Sequence, residues 1–255
     1  FIIIILLFFV TRLVPCLGLT HISDDEKIAL RSLQHHWPQL NWKGQPSCIW
    51  DGVGCTATDS EHGYVSVLDL HNRGLNNSIP QEIGLLSKLQ SLHLQDNRLS
   101  GSVPLSIANM KQLEYLWLHN NKLEGALYSE FSQLAHIKDF FLYNNRLSSS
   151  IPDSFVHLTK TLHSFYVHHN RLQGKIPQFL SFVPDLLLTD NQFDCPYPSF
   201  CTNAICGDAC DHRYSLEIEA ALVAACILVI ILFAGIGFWW WKRRHRVIQR
   251  NTQLG

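Results

Sequence analysis

Leu89-Gln-Ser-Leu92-His-Leu94-Gln-Asp-Asn97-Arg-Leu99-Ser-Gly101-Ser-Val103-Pro104, followed by Ile107 and Met110, is the stretch on which the fold turns. The alternation Leu92-x-Leu94 describes a short strand that buries one side. Gly101 permits a tight bend after it. An apolar residue before proline is held extended, so an extended segment rather than a helix is expected on the outer side. Asn97 carries one amide that both donates and accepts, suited to pairing backbone groups of its own turn and of the next unit.

The same frame recurs through the chain. Asn97, Asn121, Asn145, Asn170 and Asn191 are spaced 24, 24, 25 and 21 residues apart. Leu116, Leu118 and Leu123 repeat the apolar positions, as do Phe140, Leu142 and Leu147, and then Phe165, Val167 and Leu172. An earlier copy opens at Val65 with Leu68, Leu70 and Leu75, and carries Arg73 where the others carry Asn. A shortened last copy has Leu186, Leu188, Asn191 and Phe193. No single unit can bury its apolar side alone, so the six units are expected to stack around one continuous core with a column of asparagines inside it.

At these residues, from 22 to about 210, the chain resembles the plant-type leucine-rich repeat family, LxxLxLxxNxLxGxIPxxLxxLxx. The resemblance implies an α/β right-handed solenoid of about six 24-residue repeats with a parallel sheet on its concave side, here residues 65–194. Asn77 and Ser149 depart from the pattern at the glycine position, and Leu127-Tyr128 replaces Ile-Pro.

Each end of such a stack needs a lid. Ser23-Asp-Asp-Glu26 reads as a capping box that starts a helix. The order Cys48-x-Trp50-x-Gly52-Val53-x-Cys55 resembles the N-terminal cap of the same family, assigned to residues 22–64, and the resemblance together with a secretory setting implies a Cys48–Cys55 disulfide. Cys195, Cys201, Cys206 and Cys210 mark a C-terminal cap at 195–213; two disulfides are expected there, with all three pairings open.

The 255 residues are 47% hydrophobic and only 16% charged, against about 25% charged in an ordinary globular domain. Mean hydropathy is +0.04. The apolar excess sits at the two ends, which argues against a plain cytosolic enzyme, a basic nucleic-acid binder and a multi-span transporter. Phe1–Val10 reads as the apolar part of a signal peptide covering residues 1–18. Ala220–Trp241 is 22 residues without a charge, read as a transmembrane helix over 216–241. Trp239, Trp240 and Trp241 close it, and Lys242, Arg243, Arg244 and Arg246 begin a basic cytoplasmic tail at 242–255. All 21 acidic residues precede that run, so the expected topology is single-pass type I at the plasma membrane with the repeats outside.

Residues between the strand leucines should point to the concave side. One row there reads Asp69, His93, Trp117, Phe141, Tyr166, Leu187; the next reads His71, Gln95, His119, Tyr143, His168, Thr189. Exposed aromatic patches mark binding sites, so Trp117, Phe141, Tyr166, Tyr115, Tyr143, His93 and His119 are the candidate ligand-binding residues. The competing reading is that the rings stabilise the sheet by stacking on each other. Histidine titrates near pH 6.5, so an acidic wall would charge this face. Asn76-Asn77-Ser78 is an N-glycosylation sequon. No catalytic, phosphate-binding or metal-ligating motif is found, so neither enzyme activity nor a cofactor is expected. The function expected is recognition of an extracellular peptide, protein or polysaccharide by a receptor-like protein or co-receptor that signals through a kinase partner. The alternatives are a structural or adhesive wall-binding protein and part of a receptor kinase.

Overall fold

In the computed structural model the described residues are 21–59, 62–207 and Ile227; the expected signal peptide, membrane span and tail lie outside them. Among the described residues no helix is long and apolar enough to cross a membrane.

The chain begins with helix α1 (Asp24–His36). Its capping box is formed, with the Ser23 side chain accepting from the Glu26 N–H. Glu26 is buried, and its second carboxylate oxygen accepts from the Val65 N–H at 2.7 Å, which ties the cap to the first repeat. Trp42 and Trp50 stack at 4.7 Å, and the expected Cys48–Cys55 bridge is present.

Strand β1 (Val53–Ala57) runs antiparallel to β2 (Gly63–Asp69), and this hairpin begins a seven-stranded sheet. After β2 the order is β3 (Ser91–His93), β5 (Tyr115–Trp117), β7 (Asp139–Phe141), β9 (Ser164–Tyr166) and β11 (Asp185–Leu187), each parallel to the last. Within each three-residue strand the central residue faces inward: Leu92, Leu116, Phe140, Phe165 and Leu186 are buried. At the far end Cys201 pairs with Cys206, which closes the short helix α2 (Asn203–Cys206). Cys195 is disulfide-bonded as well, and Cys210 lies outside the described residues. The Leu188 N–H donates to the Ile205 carbonyl at 2.7 Å, so the cap continues the sheet's pairing.

The outer side differs from the expectation. Pro80, Pro104, Pro152 and Pro177 each cap a short 3₁₀ helix, as at Gln81–Leu85, Leu105–Asn109 and Asp153–Lys160, and Tyr128 does the same in the coil that lacks the proline. Proline fixes its own extended entry but leaves the next residues free to turn. A second sheet of five strands also stacks along the coils: β4 (Ser100–Ser102), β6 (Lys122–Gly125), β8 (Arg146–Ser149), β10 (Arg171–Gly174) and β12 (Gln192–Phe193).

The asparagines form the column expected of them but reach backwards. Asn97 donates to the Leu70 and Leu94 carbonyls and accepts from the Leu75 N–H, at 2.9, 3.0 and 2.9 Å. Asn121, Asn145, Asn170 and Asn191 repeat this, each accepting from the preceding coil at 2.9–3.0 Å. The partner is therefore the preceding unit, not the next. Arg73 occupies the coil where only the cap precedes, and pairs with Asp51 of that cap.

Within β4 and at the last residue of β6 and β10, Gly101, Gly125 and Gly174 have φ of 74°, 85° and 78°. Ser149 takes the same place with φ 86°, a conformation that a side chain disfavours. Ser149→Gly should therefore raise stability by about 0.5–1 kcal/mol. Asn121→Ala should lower it by roughly 1–3 kcal/mol for each buried backbone group left unpaired. Thermal melts of the two variants should move in opposite directions; a shift in the same direction would contradict the frame.

Candidate functional site

The strands leave their first and third residues on the open face of the long sheet. Register places Asp69, His93, Trp117, Phe141, Tyr166 and Leu187 side by side. His93 stacks on Trp117 at 4.2 Å and 13°, Trp117 lies parallel to Phe141 at 5.7 Å, and Phe141 stacks on Tyr166 at 4.6 Å and 6°. A second pile runs beside it: His119 on Tyr143 at 4.3 Å, and Tyr143 on His168 at 4.5 Å. Strand spacing near 4.8 Å enforces this, because flat rings at equal positions can only lie face to face.

Six of the seven expected residues thus belong to two adjacent piles. Tyr115 stands apart on the flank, where Lys138 lies 5.7 Å above its ring. Inside each pile the ring faces cover one another, so the surface offered outward consists of ring edges and polar tips. Ring edges carry the positive end of the quadrupole and attract oxygen acceptors.

Several polar atoms in the piles have no partner among the described residues. They are the Trp117 Nε1, the His93 Nε2, the Nδ1 of His119 and of His168, and the Gln95 Oε1. Gln95 is only 8% exposed, and strand alternation alone does not reveal its unmet acceptor. Asp139 and Asp185 share the face at the first position of their strands, outside the two rows that the sequence marks by their rings. Against the pull of its partial burial, hydrogen bonds from His71 hold the Asp69 carboxyl below its usual range. Burial, and then the neighbouring Asp185 carboxylate that accepts its hydrogen bond, push the Tyr166 phenol up to about 12.

The histidines correct an expectation. Six lie on or beside this face, but burial pushes His93, His119 and His168 down, against the opposing pull of Asp69, Asp96 and Asp190 respectively. An acidic medium therefore charges these three less readily than free imidazole. Among the described residues, no group of three His, Cys, Asp or Glu is placed to hold a metal ion. The sequon residue Asn76 is exposed on the opposite side of the coil, its Oδ1 accepting from Gln39 at 2.8 Å.

Residues 87–136 match the family described as Leucine Rich repeats (2 copies), and 136–158 match Leucine Rich Repeat. The chain is 35% identical over 89 residues to Receptor-like protein 31 of Arabidopsis thaliana, covering 29% of this chain and 10% of that one. The curated relatives it matches are covered over only 9–10% of their length. Among solved structures, the leucine-rich repeat ectodomain of the receptor kinase SOBIR1 from Arabidopsis thaliana is 30% identical, with a TM-score of 0.58 over 69% of this chain and 98% of that one. A plant ice-binding protein is 28% identical, with a TM-score of 0.61 over 67% and 57%.

Because folded His93, His119 and His168 hold protons more weakly than in the unfolded chain, their contribution to stability is complete above about pH 6.5 and falls as pH drops through that value. The melting temperature should be lower at pH 5 than at pH 7.5, and a variant with glutamine at all three positions should flatten the difference. Equal melting of the parent protein at both pH values would contradict the burial assigned to these rings.

Proposed function

The chain belongs to the leucine-rich repeat family, and we propose that the open face of its long sheet is the recognition surface of a receptor-type ectodomain at the plasma membrane, taking an extracellular peptide or protein segment. The observation that carries this is the pair of ring piles with unpartnered polar atoms among them. Desolvated polar groups without partners cost stability, and a ligand that supplies the partners recovers it. The likeness to receptor ectodomains supports the reading.

The piles also choose between ligand classes. A sugar ring packs on an open aromatic face, but these faces are covered by their neighbours. An extended peptide can lay carbonyl oxygens along ring edges. This favours a peptide or protein over a wall polysaccharide, and receptor over adhesive protein. The residue after the asparagine is an exposed cation on four consecutive coils, Arg98, Lys122, Arg146 and Arg171. We further propose that a co-receptor docks beside the bound ligand, and that Asn76 carries an N-linked glycan.

The test is selection of a randomised 12-residue peptide library by the full chain on cells, with a mixture of wall polysaccharides as the competing arm. Peptide capture should fall at least tenfold, as expected for an interface anchor, in Trp117→Ala, and should be unchanged in Lys175→Ala on the outer side. Since stacked rings contribute about 0.5–1.5 kcal/mol to folding, capture is compared per folded molecule. Capture of polysaccharide alone would favour the adhesive reading. Equal peptide capture by both variants would remove the piles from the site.

A further inference from the structure

The repeat pattern leaves the residue after the coil asparagine unspecified, and its side chain points away from the buried leucine beside it. On four consecutive coils it is Arg98, Lys122, Arg146 and Arg171, all exposed. The coil before carries Gly74 at this place and the coil after carries Gln192, so the stripe has two ends. Among the described residues none of the four side chains has an ion pair or a hydrogen bond. Folding gains nothing from such a stripe, because like charges on neighbouring strands repel. One carboxylate shares the face, Glu124, beside Arg146 in the register, which leaves the stripe positive. Asp96, on the rim, is bonded to Asn120 at 2.7 Å instead.

The register sets the spacing. Lys122 lies opposite Ser100, Arg146 opposite Glu124 and Arg171 opposite Ser148, so each cation is advanced by two residues on the one before. A strand spacing of about 4.8 Å and an advance of about 6.6 Å put successive cations about 8 Å apart, on a diagonal about 25 Å long.

The surroundings choose the partner. The other exposed residues of these strands, among them Ser100, Ser148 and Gln173, are polar, and among the described residues of the sheet no exposed one is aromatic or aliphatic. A protein interface needs such anchors at its centre; a linear polyanion does not. An acidic peptide strand repeats its same-face carboxylates at about 6.6 Å and falls about 5 Å short over three steps. A sugar ring with its bridging oxygen is longer than an amino-acid residue, so alternate carboxylates of a uronate chain recur at a longer interval. Three of the four cations are arginines, whose planar fork takes a carboxylate with two parallel hydrogen bonds.

We propose that this stripe binds an acidic polysaccharide, a uronate chain laid along the diagonal with a carboxylate at each of Arg98, Lys122, Arg146 and Arg171 and hydroxyls at the serines and Gln173. The open face disfavours sugars because its ring faces are covered; the stripe uses no rings. The contact is therefore separate from recognition at the open face, and holds the repeats against a charged matrix while that face stays free.

The experiment uses the full chain displayed on wall-free cells and three labelled probes of equal length: polygalacturonate, a neutral glucan and poly-glutamate. Retention is measured at low and high salt. Polygalacturonate should be retained over the glucan, and high salt should release it. Lys122→Gln with Arg146→Gln should lower its retention about tenfold, as loss of two exposed ion pairs allows, without lowering the melting temperature. Lys88→Gln with Lys160→Gln removes the same charge from exposed positions elsewhere and should leave retention in place. Peptide capture assigned to the open face should be the same in the stripe variant as in the parent. Equal polygalacturonate retention by the two double variants overturns the proposal, as does equal retention of the neutral glucan. A parallel fall of peptide capture in the stripe variant overturns the separateness of the two contacts. Stripe-dependent retention of poly-glutamate at or above that of polygalacturonate makes the partner an acidic protein segment and overturns the sugar.

Discussion

Backbone groups buried behind a strand must find partners, and in this solenoid one asparagine per coil provides them. A coil here is mostly short strand, bend and 3₁₀ turn, and the bend after each three-residue strand holds groups, such as the Leu70 and Leu94 carbonyls and the Leu75 N–H, that the asparagine amide pairs. The Asn97 amide joins Leu70 and Leu75 of one coil to Leu94 of the next. Apolar side chains alone would hold the coils together without fixing their rotation, because the hydrophobic effect is non-directional. The directional amide sets the rotation, and every later regularity follows from it. Strands fall into register, equal positions line up, and side chains between the leucines become rows.

Those rows explain the open face. Position 117 did not need to be aromatic for the coil to fold; Asp69 and Leu187 occupy the same row. Once aromatic residues stand there on consecutive coils, the strand spacing forces their planes together. Stacking then stabilises the sheet and shapes the surface at once, so the two readings of the row were never exclusive. The stacking hides ring faces, exposes edges, and strands polar atoms such as the Trp117 Nε1 between neighbours.

The repeat frame was legible because it is local: alternation, asparagine spacing and the capping box of Ser23 and Glu26 each follow from residues near in sequence. What was not legible depends on neighbouring coils. The direction of the asparagine contacts depends on how adjacent coils are offset. The second sheet is built of strands two to four residues long, with one buried residue each, a pattern too short to register. Of the four late cysteines, only spatial closeness selects Cys201 with Cys206. The rows of the candidate face were readable, but the burial that holds three of their histidines back from protonation was not.

The backward reach of each asparagine has a genetic consequence. Every such contact joins the same atoms of one coil to the same atoms of the coil before, so gain or loss of one whole unit rejoins a matching pair. Insertions of other sizes break the match. Duplication or removal of one whole coil should therefore leave every remaining amide with its partners, whereas the junction of Arg73 with Asp51 of the cap is made by a different contact.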